Sequence, residues 1–361
     1  MVQDNELTLK QKIAAMLMFG FRGSNVEDQG VVEIVSDITK LGLGGVLLFN
    51  YNVESPNQLT SLTSALKQAD PKILIAVDQE GGKVQRLSSK NGFRSFDTAK
   101  IIAKNYSLEE AYSTYFEMAK ILKNYGINFN FAPCVDVDTN PTCSVIGGYE
   151  RSFSDNPETV IHYSKQFIDA HKEHKIVTTL KHFPGHGYAR GDTHQGLVDM
   201  TNSANPSVEL KPYQELFKES SYIAVMTAHI KNYNLDPEGL PATMSKEIIT
   251  GLLREKLGFQ GVVVTDALEM GAIKAHYKLK DVICHAINAG NDILVFTRNS
   301  AASPNSEEKD LWDTSPEKVI NIIELAISNG DILKERIDES YARIIKLQEL
   351  INTEQICEYE L

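Results

Sequence analysis

The sequence predicts an α/β chain folded as one (β/α)8 barrel, and three observations carry that expectation. Eight short apolar runs with strand character alternate with amphipathic stretches along the 361 residues. The runs are almost continuously apolar, as parallel strands covered on both faces must be. No glycine-rich phosphate loop follows the first run, which places a doubly wound open sheet second to the barrel.

The strand candidates, in order, are MLMFGF (16–21), GGVLLF (44–49), ILIAVD (73–78), INFNFAP (127–133), IVTTLKHF (176–183), IAVMTAHI (223–230), GVVVTDAL (261–268) and DILVF (292–296). The stretches between them carry helix start signals. Ser55-Pro56 reads as an N-cap and first helical residue, followed by a Leu59, Leu62, Leu66 stripe. Ser107 with Glu110 has capping-box spacing, and Asn156-Pro157 and Asn205-Pro206 repeat the cap-then-proline pattern. Gly42 and Gly258 are expected helix stops. Helices over about 316–328 and 332–351 close the chain, and the polar stretch 297–310 reads as a long loop after the eighth strand. No Pro/Ser linker divides the chain, so residues 1–361 are expected to form a single catalytic domain with C-terminal helices.

Composition limits the partners. Forty-eight acidic residues against 36 basic give a formal charge of −12, which argues against nucleic acid or an acidic membrane face. Cys134, Cys143, Cys284 and Cys357 form no CxxC and no framework spacing, so a reduced compartment is expected. The N-terminus lacks a basic n-region, and the apolar run 13–21 is too short to span a bilayer. The expectation is a soluble cytoplasmic protein, although a chain trimmed of a signal or lipoprotein leader would read the same way.

In a barrel the C-terminal strand ends form the functional face. Asp78 ends the third run, Asp136 follows the fourth, Lys181 and His182 end the fifth, His229 ends the sixth, and Asp266 lies in the seventh. Any one of these has a structural reading as a cap or ion-pair partner. Together they read as a site. Asp266 follows the apolar run directly. It either caps the next helix or serves as a nucleophilic carboxylate of the kind retaining glycosidases use.

KHFPGHGYARGDTH (181–194) is the densest polar segment, with three histidines, a lysine, an arginine and an aspartate. Asp192 and His194 are one residue apart. A carboxylate on one imidazole nitrogen fixes the tautomer and leaves the other nitrogen for proton transfer, at an ordinary pKa of about 6.5. His186, between two glycines, reads as a shaper of the loop. Arg86 has a structural alternative as the partner of Glu80.

KHFPGHG, four residues, then DTH is similar to the signature of the β-N-acetylglucosaminidases of glycoside hydrolase family 3. AVDQEGGKVQRL (76–87), FAPCVDVDTNP (131–141), IGGYERSFSDNP (146–157), VMTAHI (225–230) and GFQGVVVTDALEM (258–270) agree in order, so the resemblance covers roughly residues 8 to 300. It implies Asp266 as nucleophile and Asp192-His194 as the acid/base dyad. It also implies that Asp78, Arg86, Arg151, Lys181 and His182 line the pocket for an N-acetylglucosamine ring. The chain departs from the pattern at Lys83, where arginine is common, and in a longer spacing between glycine and arginine in IGGYERSF. It also has no room for the second domain of the family's β-glucosidases. The family context implies removal of β-linked GlcNAc from peptidoglycan fragments, with no cofactor and no metal.

Three other functions stay open. A phosphorylase would use the same residues, because a histidine acid/base does not repel phosphate. A metal-dependent hydrolase could use His182, His186, His194 and Asp192, yet no HxH or HExxH pairs two ligands and Asp266 would have no role. A non-catalytic sugar-binding module would have no use for Asp266 and His194 together. The aglycone and the oligomeric state are not fixed by the sequence.

Overall fold

The computed structural model describes residues 7–140, 142–189, 196–218, 220–298 and 312–352. Asp192 and His194 lie outside them, as do residues 299–310 of the long loop expected after the eighth strand. Each of the eight apolar runs forms a strand: β1 Leu17–Gly20, β2 Gly45–Leu48, β3 Leu74–Val77, β4 Phe129–Asn130, β5 Val177–Phe183, β6 Ile223–Thr227, β7 Val263–Thr265 and β8 Leu294–Phe296. They pair in parallel, in the order β7-β6-β5-β4-β3-β2-β1-β8. A parallel bridge between Val264 and Ile293 joins the two ends, with Ile293 N–H donating to Val263 O at 3.0 Å and Thr265 N–H to Ile293 O at 3.0 Å. The sheet is therefore a nearly closed barrel. Every residue of these strands is buried, which accounts for the lack of polar alternation in their sequences.

Helices cover the outside, and local chemistry sets their starts. Ser55 accepts from the Gln58 N–H with Pro56 in the first turn, and the helix Pro56–Ala69 buries Leu59, Leu62 and Leu66. Burying each leucine stabilises by about 1.5–3 kcal/mol, which outweighs the helix's own marginal tendency to form. Ser107 and Glu110 form the capping box of Leu108–Asn124, and Asn156 caps Pro157–Glu173. Gly42, at φ 79°, ends Gln29–Leu41 in the left-handed conformation.

Three expectations change in detail. Asn205-Pro206 opens a helix of only four residues without a side-chain cap bond. The last helix begins at Lys334. The segment Glu247–Lys256 is wound as a π-helix, with Leu257 N–H donating to Leu252 O, five residues back. No helix among the described residues is long and apolar enough to cross a membrane. Cys134, Cys143 and Cys284 are free thiols.

Candidate active site

The C-terminal strand ends converge as the sequence pattern requires. Asp78 follows β3 directly, Lys181 and His182 occupy the end of β5, His229 lies two residues past β6, and Asp266 follows β7 directly. Lys181 meets Asp78 directly, whereas the hydrogen bonds of His229 and Asp266 are with Thr243, Thr227 and Ala267.

Asp78, Lys181 and His182 join Arg86, Glu80, Arg151 and Asp136 in one chain of seven polar side chains. Arg86 Nη2 donates to Asp78 Oδ2 at 2.9 Å, and Lys181 Nζ donates to Asp78 Oδ1 at 2.8 Å. Lys181 also lies 2.6 Å from Glu80 Oε1. Arg151 grips Glu80 with both arms of its guanidinium, at 2.9 and 2.8 Å, and its Nη2 approaches His182 Nε2 at 3.4 Å. His182 Nδ1 lies 2.7 Å from Asp136 Oδ2. Arg86 pairs with Asp78, not with Glu80 as its structural alternative has it; Glu80 belongs to Arg151 and Lys181. The pairing follows from Asp78 and Glu80 flanking Lys181, whose side chain is 2% exposed.

Burial of so many ions costs several kcal/mol apiece unless each meets its opposite. For Asp78, burial alone would raise the carboxyl pKa, but the charges of Lys181 and Arg86 outweigh it and hold the group far below the carboxylate range. Glu80 behaves alike: burial pushes upward, Arg151 and Lys181 pull harder, and the result is about 2. Lys181 stays charged because the two carboxylates outweigh its own burial. Side-chain exposure rises to 16% at Asp78 and 19% at Arg86, so that end of the chain faces the mouth. Arg86 Nε is buried and has no hydrogen-bond partner among the described residues.

Asp136 fixes the orientation of His182. It also accepts from the backbone N–H groups of His182 (3.1 and 3.2 Å) and His186 (2.8 Å) and from the Cys134 thiol (3.2 Å). Burial raises its pKa, but these donors and the facing imidazoles bring it below the usual value. An ionised Asp136 accepts a hydrogen bond from His182 Nδ1–H, which leaves Nε2 unprotonated and turned toward Arg151. Cys134, Asp136 and His182 also place ligand-type atoms within 4.8 Å of one another. The carboxylate of that trio is already satisfied by N–H and S–H donors, and Arg151 stands against the free imidazole nitrogen. A cation would have to displace those bonds. His186 stacks edge-on to His182, with ring centroids 5.8 Å apart. Burial, then His182, holds its pKa at about 4, so its ring is neutral.

The Asp266 turn is built from β6. Its N–H donates to Thr227 O at 3.2 Å, and its Oδ1 accepts from Ala267 N–H at 2.7 Å. His229, 1% exposed, has Nε2 2.8 Å from the Ala267 carbonyl and Nδ1 2.9 Å from Thr243 Oγ1. A carbonyl only accepts, so Nε2 carries a proton here. His229 thus supports the backbone beside Asp266. Glu269 adds a further tie, accepting from Thr297 N–H, Arg298 N–H and the Thr314 hydroxyl.

Sequence reasoning missed Glu80 as a member of the site and assigned Asp136 no partner. The signal for Glu80 was present: DQE in an extended segment puts two carboxylates on one side. Nothing local marks Asp136, whose partner His182 is 46 residues away.

Fold and rim together define a barrel of the type whose functional groups sit on the loops at the C-terminal strand ends. The model of the glycosyl hydrolase family 3 N terminal domain matches residues 8–347, and the chain belongs to glycosyl hydrolase family 3. It is 35% identical to "Beta-hexosaminidase A" of Pseudoalteromonas piscicida, over 95% of this chain and 61% of that protein. It is 35% identical to "Beta-hexosaminidase" of Tolumonas auensis, over 72% of this chain and 77% of that one. Among solved structures it is similar to a glycoside hydrolase family 3 beta-N-acetylglucosaminidase from Paenibacillus sp. str. FPU-7. The TM-score is 0.85 and the identity 33%, with 96% of this chain and 63% of that one covered. The chain thus spans under two thirds of the first relative and of the Paenibacillus protein.

Proposed function

We propose that this barrel, with its C-terminal helices, is the catalytic unit of a retaining β-N-acetylhexosaminidase that removes terminal β-linked GlcNAc from peptidoglycan fragments. One observation carries the reading above the others. In a family 3 barrel, Asp266 leaves β7 at the same rim where half-buried Asp78, Arg86 and Arg151 and buried Glu80 and Lys181 assemble a cluster dense in donors and acceptors. The relatives named for hexosaminidase activity support the substrate class.

In the first step the Asp266 carboxylate attacks the anomeric carbon, the bond to the leaving oxygen breaks, and His194 gives that oxygen its proton. In the second, His194 takes a proton from water as the water oxygen displaces Asp266 from the anomeric carbon. Asp192 orients His194. Asp78, Arg86, Arg151, Lys181 and His182 bind the ring.

Two variants test this. Asp266→Ala should abolish turnover of every glycoside. His194→Ala should slow alkyl glycosides by about 10²–10⁴, the usual contribution of a positioned acid. It should spare the first turnover of a dinitrophenyl glycoside, giving a burst and then a slow rate that azide accelerates. Equal slowing of good and poor leaving groups would remove His194 from the role. A GlcNAc 1-phosphate product in phosphate buffer would replace hydrolysis by phosphorolysis.

A further inference from the structure

One buried acid takes no part in the charge chain. Glu209, in the short helix Pro206–Glu209, is 3% exposed, and no cation pairs with it among the described residues. Its side chain lies flat against Gly185. A Cβ on Gly185, whose φ is +123°, would come within 2.5 Å of Glu209 Cβ and 2.7 Å of its Cδ. Glu209 Oε1 accepts the Tyr188 N–H at 3.2 Å.

The opposite side of the same segment is held as closely. Asp136 takes the His186 N–H at 2.8 Å, and Asn140 Nδ2 donates to Ala189 O at 2.8 Å. A Cβ on Gly187 would sit 1.7 Å from Val137 O, so the two backbones touch. Residues 185–189 are therefore clamped between Asp136, Val137 and Asn140 on one side and Glu209 on the other. Ala189 is the third residue before Asp192.

We propose that Glu209 is a positioning residue for the acid/base chemistry: its carboxyl is the back wall that fixes residues 185–188, the stretch that leads in sequence to Asp192 and His194. The inference rests on the roles proposed above for Asp192 and His194.

A buried acid suits this place better than an apolar residue, because the Tyr188 N–H would otherwise lose its acceptor. Burial pushes Glu209 up to about 8, the Tyr188 N–H opposes this, and the negative Asp136 adds to it. Tyr213 also feels Glu209, and burial raises its phenol far above its ordinary value. At neutral pH the wall is thus an uncharged carboxyl, and glutamine reproduces it.

The experiment compares Glu209→Ala and Glu209→Gln with the unaltered protein and His194→Ala. Backbone amide exchange over residues 185–198 is read by mass spectrometry, and cleavage of methyl and dinitrophenyl β-GlcNAc glycosides by rate. Glu209→Ala should speed exchange in that peptide and slow the methyl glycoside about 10- to 100-fold, a share of what a positioned acid supplies. The dinitrophenol burst should stay within about threefold of normal, since that leaving group needs little acid. Glu209→Gln should restore both readouts at pH 7. Unchanged exchange in Glu209→Ala, or equal slowing of both glycosides, overturns the proposal. If His194→Ala shows no dependence on leaving group, the dyad assignment fails by itself, and the exchange data alone decide whether Glu209 fixes the segment.

Discussion

Lys181→Met removes the central cation of the site and keeps its length and most of its apolar contacts. Asp78 and Glu80 then stay buried with one arginine each. Removing one partner of a buried pair costs about 3–5 kcal/mol, because the remaining charge is left uncompensated. The pKa of Glu80 gives an independent scale. It stands at about 2 against an ordinary 4.5, and such a shift corresponds to about 3 kcal/mol of stability shared between its cations. With the folded value depressed, that stability is present above pH 4.5 and is lost as pH falls toward 2. The variant should therefore unfold in urea with about 3 kcal/mol less stability at pH 7. The deficit should shrink as pH falls from about 5 toward 3, because a protonated carboxyl no longer needs the ammonium. Circular dichroism melts in urea at pH 7 and pH 4 measure both quantities. A loss below about 1 kcal/mol at pH 7, or a deficit that grows on acidification, would refute the account of Lys181 as the neutralising centre.

Asp292 lies at the other end of the barrel, just before β8, and holds Arg254, Arg336 and Arg343 at 2.7, 3.0 and 3.1 Å. Asp292→Asn should lower unfolding stability by about 3–5 kcal/mol, and KM should not move because the functional face is opposite; a changed KM at intact stability would contradict this. Dialysis against a strong chelator should leave glycosidase activity unchanged, since Asp136 is already satisfied by N–H and thiol donors; loss restored by zinc would transfer His182 to a metal. Aryl β-GlcNAc should be cleaved in preference to aryl β-glucose, because an unfilled polar subsite leaves buried groups unpaired at roughly 1–3 kcal/mol each; equal kcat/KM for the two would return the chain to a general β-glucosidase.

The eight strands were legible because each lies buried on both faces, and burial writes itself into the sequence as an uninterrupted apolar run such as GVLL (45–48) or LVF (294–296). The caps at Ser55, Ser107 and Asn156 were legible because cap and capped N–H lie within three residues of each other. Strand polarity then told which end Asp78, Lys181, His182 and Asp266 occupy, before any contact was known. Which acid meets which base was a different matter. Arg86 could reach Asp78 or Glu80 by sequence distance alone, and the choice was made by Arg151 and Lys181, which come from 71 and about 100 residues further along the chain to claim Glu80. Asp136 with His182, and Glu209 against Gly185, are likewise meetings of loops that only barrel closure brings into reach. Burial and capping are properties of a residue and its near neighbours, so they leave a pattern. A charge pairing depends on the position of segments far apart in sequence, and its energy appears only once water has been excluded from between them.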